Sequence, residues 1–427
     1  MVIGNRGLTT RDNLSSGMTV AMSPSSDTTL RSINFQYFLC FAVYGALHPY
    51  LPVFLARQRD MDPMQIGLAW GSLSGAAVLM PVLTTLLADT QIAPRRLLLI
   101  IFAIGSATLF ALLAVRSTAA TLSLLAMHSL VYISIVPLQD GLYFSDHHER
   151  RRLEKPTPPY HRIRVWGTAG YILPSLVLWL VLADQAQVGL AIALGAVLCG
   201  IGAINSLFLP APPSGESLRS EKLPTTAAAR AMLQPDVLIY SVVMVLAGIA
   251  GAAHYNFFPL YLTDQLHLPH RWVGVIVNIG VAVELFFVLA FRWLIHRFGF
   301  KAVVAFGIMC MILRSTLLAW TPHVAVAAIA QALHGPVVLT LFLCPPIFLD
   351  RQAERRFRSS VQGLYAMSVS GSGRIVGSLL AGYLAQGGLL HLYWYATAIG
   401  IVALVVLVLA FRDHSDPTVE GSSSRGE

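Results

Sequence analysis

The sequence predicts an all-α membrane protein, with twelve transmembrane helices in two pseudo-symmetric six-helix halves. Three observations lead there. The 427-residue chain is 56% hydrophobic and 12% charged, about half the charged fraction of an ordinary soluble domain. Its apolar residues fall in blocks long enough to cross a hydrocarbon core, which takes about 20 residues of helix. Short motifs then recur between the first and second halves at nearly constant offset.

In lipid the backbone must satisfy its own hydrogen bonds, so a spanning segment is a helix or part of a closed barrel. The blocks are too long and too continuously apolar for barrel strands, and mean hydropathy is +0.66. Reading along the chain places spans over 33–56, 64–88, 95–116, 119–145, 161–183, 187–209, 236–262, 271–295, 300–320, 323–349, 359–386 and 389–411. Residues 1–32 are polar and lack the apolar run of a signal peptide, so they read as a disordered tail, as do residues 412–427. The stretch 210–235, with Pro210, Pro212, Pro213 and Gly215, reads as the linker between the bundles 33–209 and 236–411.

A net charge of +8 would suit a nucleic-acid partner, but the placement of the charges argues against one. With the N-terminus inside, 23 of the 29 Lys and Arg fall on the inner side. Only Arg57, Arg59, Arg116 and Arg271 fall outside, while Arg314 and Arg374 lie within spans. This asymmetry predicts that both termini are cytoplasmic and that the basic loops face anionic lipid. Cys40, Cys199, Cys310 and Cys344 are scattered through apolar segments, with neither a disulfide framework nor metal-ligand spacing, and read as packing residues. His-Glu-x-x-His, Gly-x-Ser-x-Gly and Walker motifs are absent from the sequence, so no enzyme and no cofactor is expected.

The repeat is visible in several places. Gly45-Ala46-Leu47-His48 corresponds to Gly251-Ala252-Ala253-His254. Pro52, Gly67 and Asp89 fall opposite Pro259, Gly274 and His296, all at offset 207. Glu149-Arg150-Arg151 resembles Glu354-Arg355-Arg356. Two such halves facing each other enclose a cavity near the midplane.

The loop from Leu87 to Arg96, with Asp89, Arg95 and Arg96, resembles the inner-loop signature of the major facilitator superfamily. So does its counterpart, His296-Arg297-Phe298-Gly299-Phe300-Lys301. The first lacks the signature Gly; the second has His in place of the acid. The resemblance implies that Asp89, Arg95, Arg96 and Arg297 gate the inner side. Within the superfamily, residues 33–411 resemble the branch of lactose permease and phenylpropionate permease. Pro137-Leu138-Gln139-Asp140 resembles the fourth-helix segment that carries a substrate-binding acid. Arg162-Ile163-Arg164-Val165-Trp166-Gly167 resembles the fifth-helix segment whose second Arg binds substrate. Glu284, Arg314 and His334 fall on the helices that hold the coupling residues of lactose permease, although Val337 stands where that protein has a Glu.

Read as residues alone, Glu284 and Arg314 are charges near mid-span, where each costs about 2.5–3.5 kcal/mol unless it faces a cavity or a partner. They read either as a fixed ion pair or as a proton site, with His334 beside Gly335-Pro336 as a relay or a packing residue. Asp140 and Arg164 form a second candidate pair. Arg374 reads as the neutraliser of an anion, substrate or Glu284. His48 and His254 hold equivalent places in cavity-lining spans, as substrate contacts or as symmetric packing. His128 reads as packing. Tyr44, Trp166, Tyr255, Phe257 and Phe258 are candidates to stack on a ring. Gly67, Gly71 and Gly75 form a ridge for close helix packing.

The expectation is therefore a proton-coupled symporter, monomeric and set in a bacterial inner membrane, with proton and a small organic solute as ligands. The buried Arg residues favour an aromatic acid, the lactose permease-like residues a sugar, and nucleosides stay open. The alternatives are a proton-coupled exporter and a membrane sensor that binds without translocating.

Overall fold

A computed structural model describes residues 24–90, 92–155, 158–182, 187–210, 225–352 and 358–412. The described residues form helices and the turns that join them, in this order: α1 Pro24–Leu47, α2 Leu51–Gln58, α3 Pro63–Thr90, α4 Pro94–Ala114, α5 Thr118–Tyr132, α6 Ile135–Arg152, α7 Tyr160–Val181, α8 Gly189–Ser206, α9 Thr225–Met232, α10 Pro235–Leu260, α11 Arg271–Phe298, α12 Phe300–Trp320, α13 Val324–Ala330, α14 His334–Val338, α15 Cys344–Gln352, α16 Arg358–Tyr365, α17 Ser372–Ala385 and α18 Leu389–Ala410. Helices that continue into one another make twelve columns. Among the described residues nine helices are long and apolar enough to cross a membrane, and the bent pair α1–α2 makes a tenth. The 28-residue α3 and the column 358–385 complete the set.

Several of the breaks within columns lie beside proline. A proline has no N–H to donate, and its ring crowds the carbonyl four residues back. Pro49 and Pro52 separate α1 from α2, which bend by 40°. Pro137 lies in the first turn of α6, and its i−4 partner Ile133 sits in the break after α5. Pro259 precedes a π turn at Tyr261–Gln265, and Pro345-Pro346 follow one at Leu339–Leu343. A third π turn, Ala366–Gly371, joins α16 to α17. Such turns are concentrated at functional sites.

Two boundaries differ from the sequence expectation. The first helix begins at Pro24, so residues 24–32 are helical rather than tail. Hydropathy misses a polar first turn, whereas proline is well placed there because those N–H groups have no intrahelical partner anyway. The interval 210–235 contains a short helix, α9, and the start of α10. The linker residues 211–224 and the tails 1–23 and 413–427 lie outside the described residues.

Packing repeats between halves. In the first, α1 packs on α7 and α8, and α4 packs on α8; in the second, α10 packs on α17 and α18, and α12 packs on α18. The main seams between halves are α3 with α17 and α11 with α7, which a twofold exchange of the halves would interconvert. Glycine permits the first seam. A Cβ on Gly67 would lie 2.7 Å from the Gly382 Cα, so neither helix tolerates a side chain there. Further along, Gly71 and Gly75 face Leu379 and Ile375, which makes the ridge read from the sequence an interface between halves. In the second seam Gly274 lies against Ser175 and Tyr50, and Asn278 Nδ2 donates to the Ile172 carbonyl at 3.3 Å.

Gly67, Gly274, Ser175 and Gly382 lie toward the end of the bundle that carries residues 59–62, 187–188, 266–270 and 386–388. One continuous apolar core spans both halves at this closed end, from Tyr50 and Phe54 through Phe257, Tyr261 and Val273 to Tyr393. A separate core belongs to the second half alone. It runs through Tyr240, Phe300, Phe348, Tyr365 and Phe411, near the end where residues 225–232 and 411 lie. The four cysteines are free and buried in these cores.

Candidate functional site

Two clusters of ionisable side chains lie on either side of the junction between halves. In the second half, Gly280 lets α11 approach α14: a Cβ there would stand 3.1 Å from the His334 ring and 2.7 Å from Gln331 Oε1. One helical turn on, Glu284 faces the same ring. His334 Nε2 is 3.8 Å from Glu284 Oε2, and Arg314 Nη1 is 3.1 Å from His334 Nδ1. An Arg can only donate. Nδ1 therefore accepts, and a neutral His334 carries its proton on Nε2, aimed at the carboxylate. The expected ion pair of Glu284 with Arg314 is thus replaced by a three-member line with the imidazole in the middle.

Arg314 is fully buried, and its Nε and Nη2 have no hydrogen-bond partner among the described residues. A buried, incompletely paired charge is costly, so this arginine is held by the packing around it rather than by its hydrogen bonds. Glu284 is different: its side chain is 35% exposed, and it can be reached from the space between halves. His254 stacks on Phe258 at 4.4 Å and lies 6.2 Å from the His334 ring, and Tyr255 meets His334 edge-on at 5.8 Å.

In the first half, Asp140 Oδ1 accepts hydrogen bonds from the Tyr37 hydroxyl and, at 2.9 Å, from the Tyr160 hydroxyl. Arg164 does not pair with it, contrary to the sequence expectation. Its guanidinium lies 4.0 Å from the centre of the Phe41 ring, a cation–π contact. The register explains the arrangement. Tyr37 and Phe41 are one turn apart on α1, and Tyr160 and Arg164 are one turn apart on α7, so two adjacent helices present a phenol level and a cation–ring level. Gly167 leaves the room: a Cβ there would sit 2.6 Å from Arg164 Nη1.

The remaining sequence candidates separate. Arg374 is exposed on α17, its Nε directed at the Ser370 carbonyl at 3.3 Å, so it does not meet Glu284. His48 is exposed, with its ring against Tyr44 and Trp70. It borders a small, partly open pocket inside the first half beside His128 and Tyr132. Its repeat partner His254 is buried, so the two histidines are not equivalent. His128 hydrogen-bonds Thr108 and stacks on Tyr132, as packing requires. Phe257 and Phe258 are core residues, not free ring platforms, whereas Trp166 is 47% exposed. Arg95, Arg96 and Arg297 lie at helix ends away from both clusters; the Asp89 side chain lies outside the described residues. Sequence reasoning missed Tyr37, Tyr160 and Phe41. The i,i+4 pairing of aromatic and polar residues on α1 and α7 was the available signal, hidden by the frequency of aromatics in spans.

Twelve helical columns in two exchanged halves, with ionisable groups where the halves meet, are the architecture of a polytopic membrane transporter. The chain belongs to the MFS_1 like family, whose profile matches residues 30–396. It is similar to the nucleoside permease NupG of Escherichia coli (strain K12), 24% identical over 365 residues that cover 82% of this chain and 86% of that one. The xanthosine permease of the same organism is 21% identical over 359 residues, covering 81% and 85%. The crystal structure of nucleoside transporter NupG superposes with a TM-score of 0.80 at 21% identity, covering 90% of this chain and 99% of that one. The superfamily resemblance read from the inner loops therefore holds, while these relatives do not single out the lactose permease branch.

Proposed function

We propose that this chain is a proton-coupled importer of nucleosides that works by alternating access. The observation that carries the substrate is its similarity, over 81–82% of the chain, to two permeases whose names specify a nucleoside. They favour a nucleoside over the aromatic acid and the sugar of the sequence reading. The site chemistry suits the same class. A nucleoside offers ribose hydroxyls that donate to carboxylates and a flat base that stacks on rings. Glu284 and Asp140 supply partly exposed carboxylates, and Phe41, Trp166 and Tyr255 supply faces.

Glu284 is the proposed proton carrier. When ionised it faces the Nε2–H of His334; when protonated that contact loses its charge, which changes the electrostatics at His334. Proton and substrate each bias the equilibrium between the two access states by binding them unequally. The Lys and Arg distribution favours cytoplasmic termini; on that reading the closed end is the outer one and the conformation is inward-facing. The bundles 33–209 and 236–411 move as bodies around the site, in a single protomer set in a bacterial inner membrane.

The test is uptake of radiolabelled uridine and adenosine into proteoliposomes under an imposed proton gradient, with a disaccharide and an arylpropionate as competitors. Nucleoside accumulation accompanied by proton entry is expected. Accumulation of either competitor without nucleoside uptake overturns the substrate, and proton movement opposite to nucleoside makes the protein an exporter.

A further inference from the structure

Arg57 ends α2 in the first half, and Asp264 lies in the π turn that follows α10 in the second. Their side chains meet across the closed end, with Arg57 Nη2 donating to Asp264 Oδ1 at 2.7 Å. The two positions are 207 residues apart, the same offset that relates Pro52 to Pro259 and Gly67 to Gly274. They are therefore the same position in the two repeats, filled by opposite charges. A point and its image under a twofold rotation are separated by twice their distance from the axis. Symmetry-related side chains that touch must accordingly lie beside that axis. We propose that Arg57 and Asp264 form a latch on the pseudo-twofold axis, made when this end is closed and broken each time it opens.

The surroundings fit that role. Thr263 Oγ1 donates to the same Asp264 oxygen at 2.8 Å and orients the carboxylate before the arginine arrives. Both partners keep solvent access, at 53% and 36% side-chain exposure, so water can solvate each charge as they part. The pair is consequently weak enough to break every cycle, unlike a dry one. Elsewhere the cited seam contacts at this end are glycine, small-residue and carbonyl contacts, which close sterically but carry no charge. An exposed pair of this kind biases an equilibrium by up to about fivefold. The identity of the cargo plays no part here; the latch rests only on the alternating-access reading.

Labelling of Asn278→Cys, in the seam below the pair, by a membrane-impermeant maleimide added from the closed side reads opening directly and needs neither substrate nor flux. The four native cysteines are buried and stay silent. Arg57→Asp sets two carboxylates together and should speed labelling several-fold. Adding Asp264→Arg should return it to the starting rate. Unchanged labelling in the single variant, or no recovery in the exchange, overturns the latch. In a second arm, Arg57→Cys with Asp264→Cys is bridged by a short cleavable cross-linker. Uptake should fall at least about tenfold and recover on cleavage; full uptake with the bridge formed overturns the proposal. Should the protein prove not to transport, the labelling arm still decides on the latch alone.

Discussion

The two halves hold their central charges by opposite means. In the second half a guanidinium is fully buried, with two nitrogens lacking a hydrogen-bond partner among the described residues and the His334 imidazole as its contact. In the first half the carboxylate Asp140 takes two phenol hydrogen bonds, and the cation Arg164 rests on a ring face at partial exposure. One site is under electrostatic strain, the other is satisfied. A strained charge responds strongly when a neighbour gains or loses a proton, because little solvent screens the change. A satisfied, solvent-reached one responds weakly and is better suited to hold a ligand. Under the proposed function, the second half does the proton work and the first orients the substrate.

That assignment can be broken most directly at Glu284. Glu284→Gln keeps the shape and removes the titration, so uphill accumulation should vanish while exchange of substrate across the membrane persists. Equal uphill uptake in variant and parent would remove Glu284 from coupling. Arg314→Met comes next. It should cut transport by about 10- to 150-fold, the value of a charge-assisted hydrogen bond. Because it also deletes a buried and incompletely paired charge, the melting temperature in detergent should hold or rise. A variant that loses both activity and stability would mark Arg314 as a structural tie.

Smaller effects belong to the first half. Tyr37→Phe and Tyr160→Phe each remove one hydrogen bond to Asp140 and should raise the substrate KM about two- to tenfold with coupling intact. A change in the proton-to-substrate ratio would contradict the division between halves. The smallest effect is expected at His48, whose ring packs against Tyr44 and Trp70. His48→Ala should alter uptake within about threefold, and a larger loss would bring the cavity beside it into the transport path.

The architecture was legible because membrane insertion constrains sequence severely. Apolar length announces a span, and basic residues mark its flanks. The glycine ridge at Gly67, Gly71 and Gly75 was likewise visible as an interface, since i,i+4 glycines have no other use on a helix face. Intramembrane charge is costly enough that Glu284, Arg314 and Asp140 stood out without any structure. Their partners did not. The sequence reading paired Glu284 with Arg314 and Asp140 with Arg164, the natural choice when only formal charge is known.

Tertiary structure decided otherwise, for reasons of shape. Gly280 sets how closely α11 and α14 approach, which inserts His334 between the two charges. The one-turn registers of α1 and α7 offer Asp140 phenols and give Arg164 a ring. The same limit applies to the repeat. Offset 207 could be read along the chain, but only the packing of the halves brings Arg57 to Asp264. A sequence determines which groups must be sheltered from lipid, because that cost is local to each residue. Which neighbour shelters them depends on distances of a few ångströms between helices far apart in the chain, and those are set by packing.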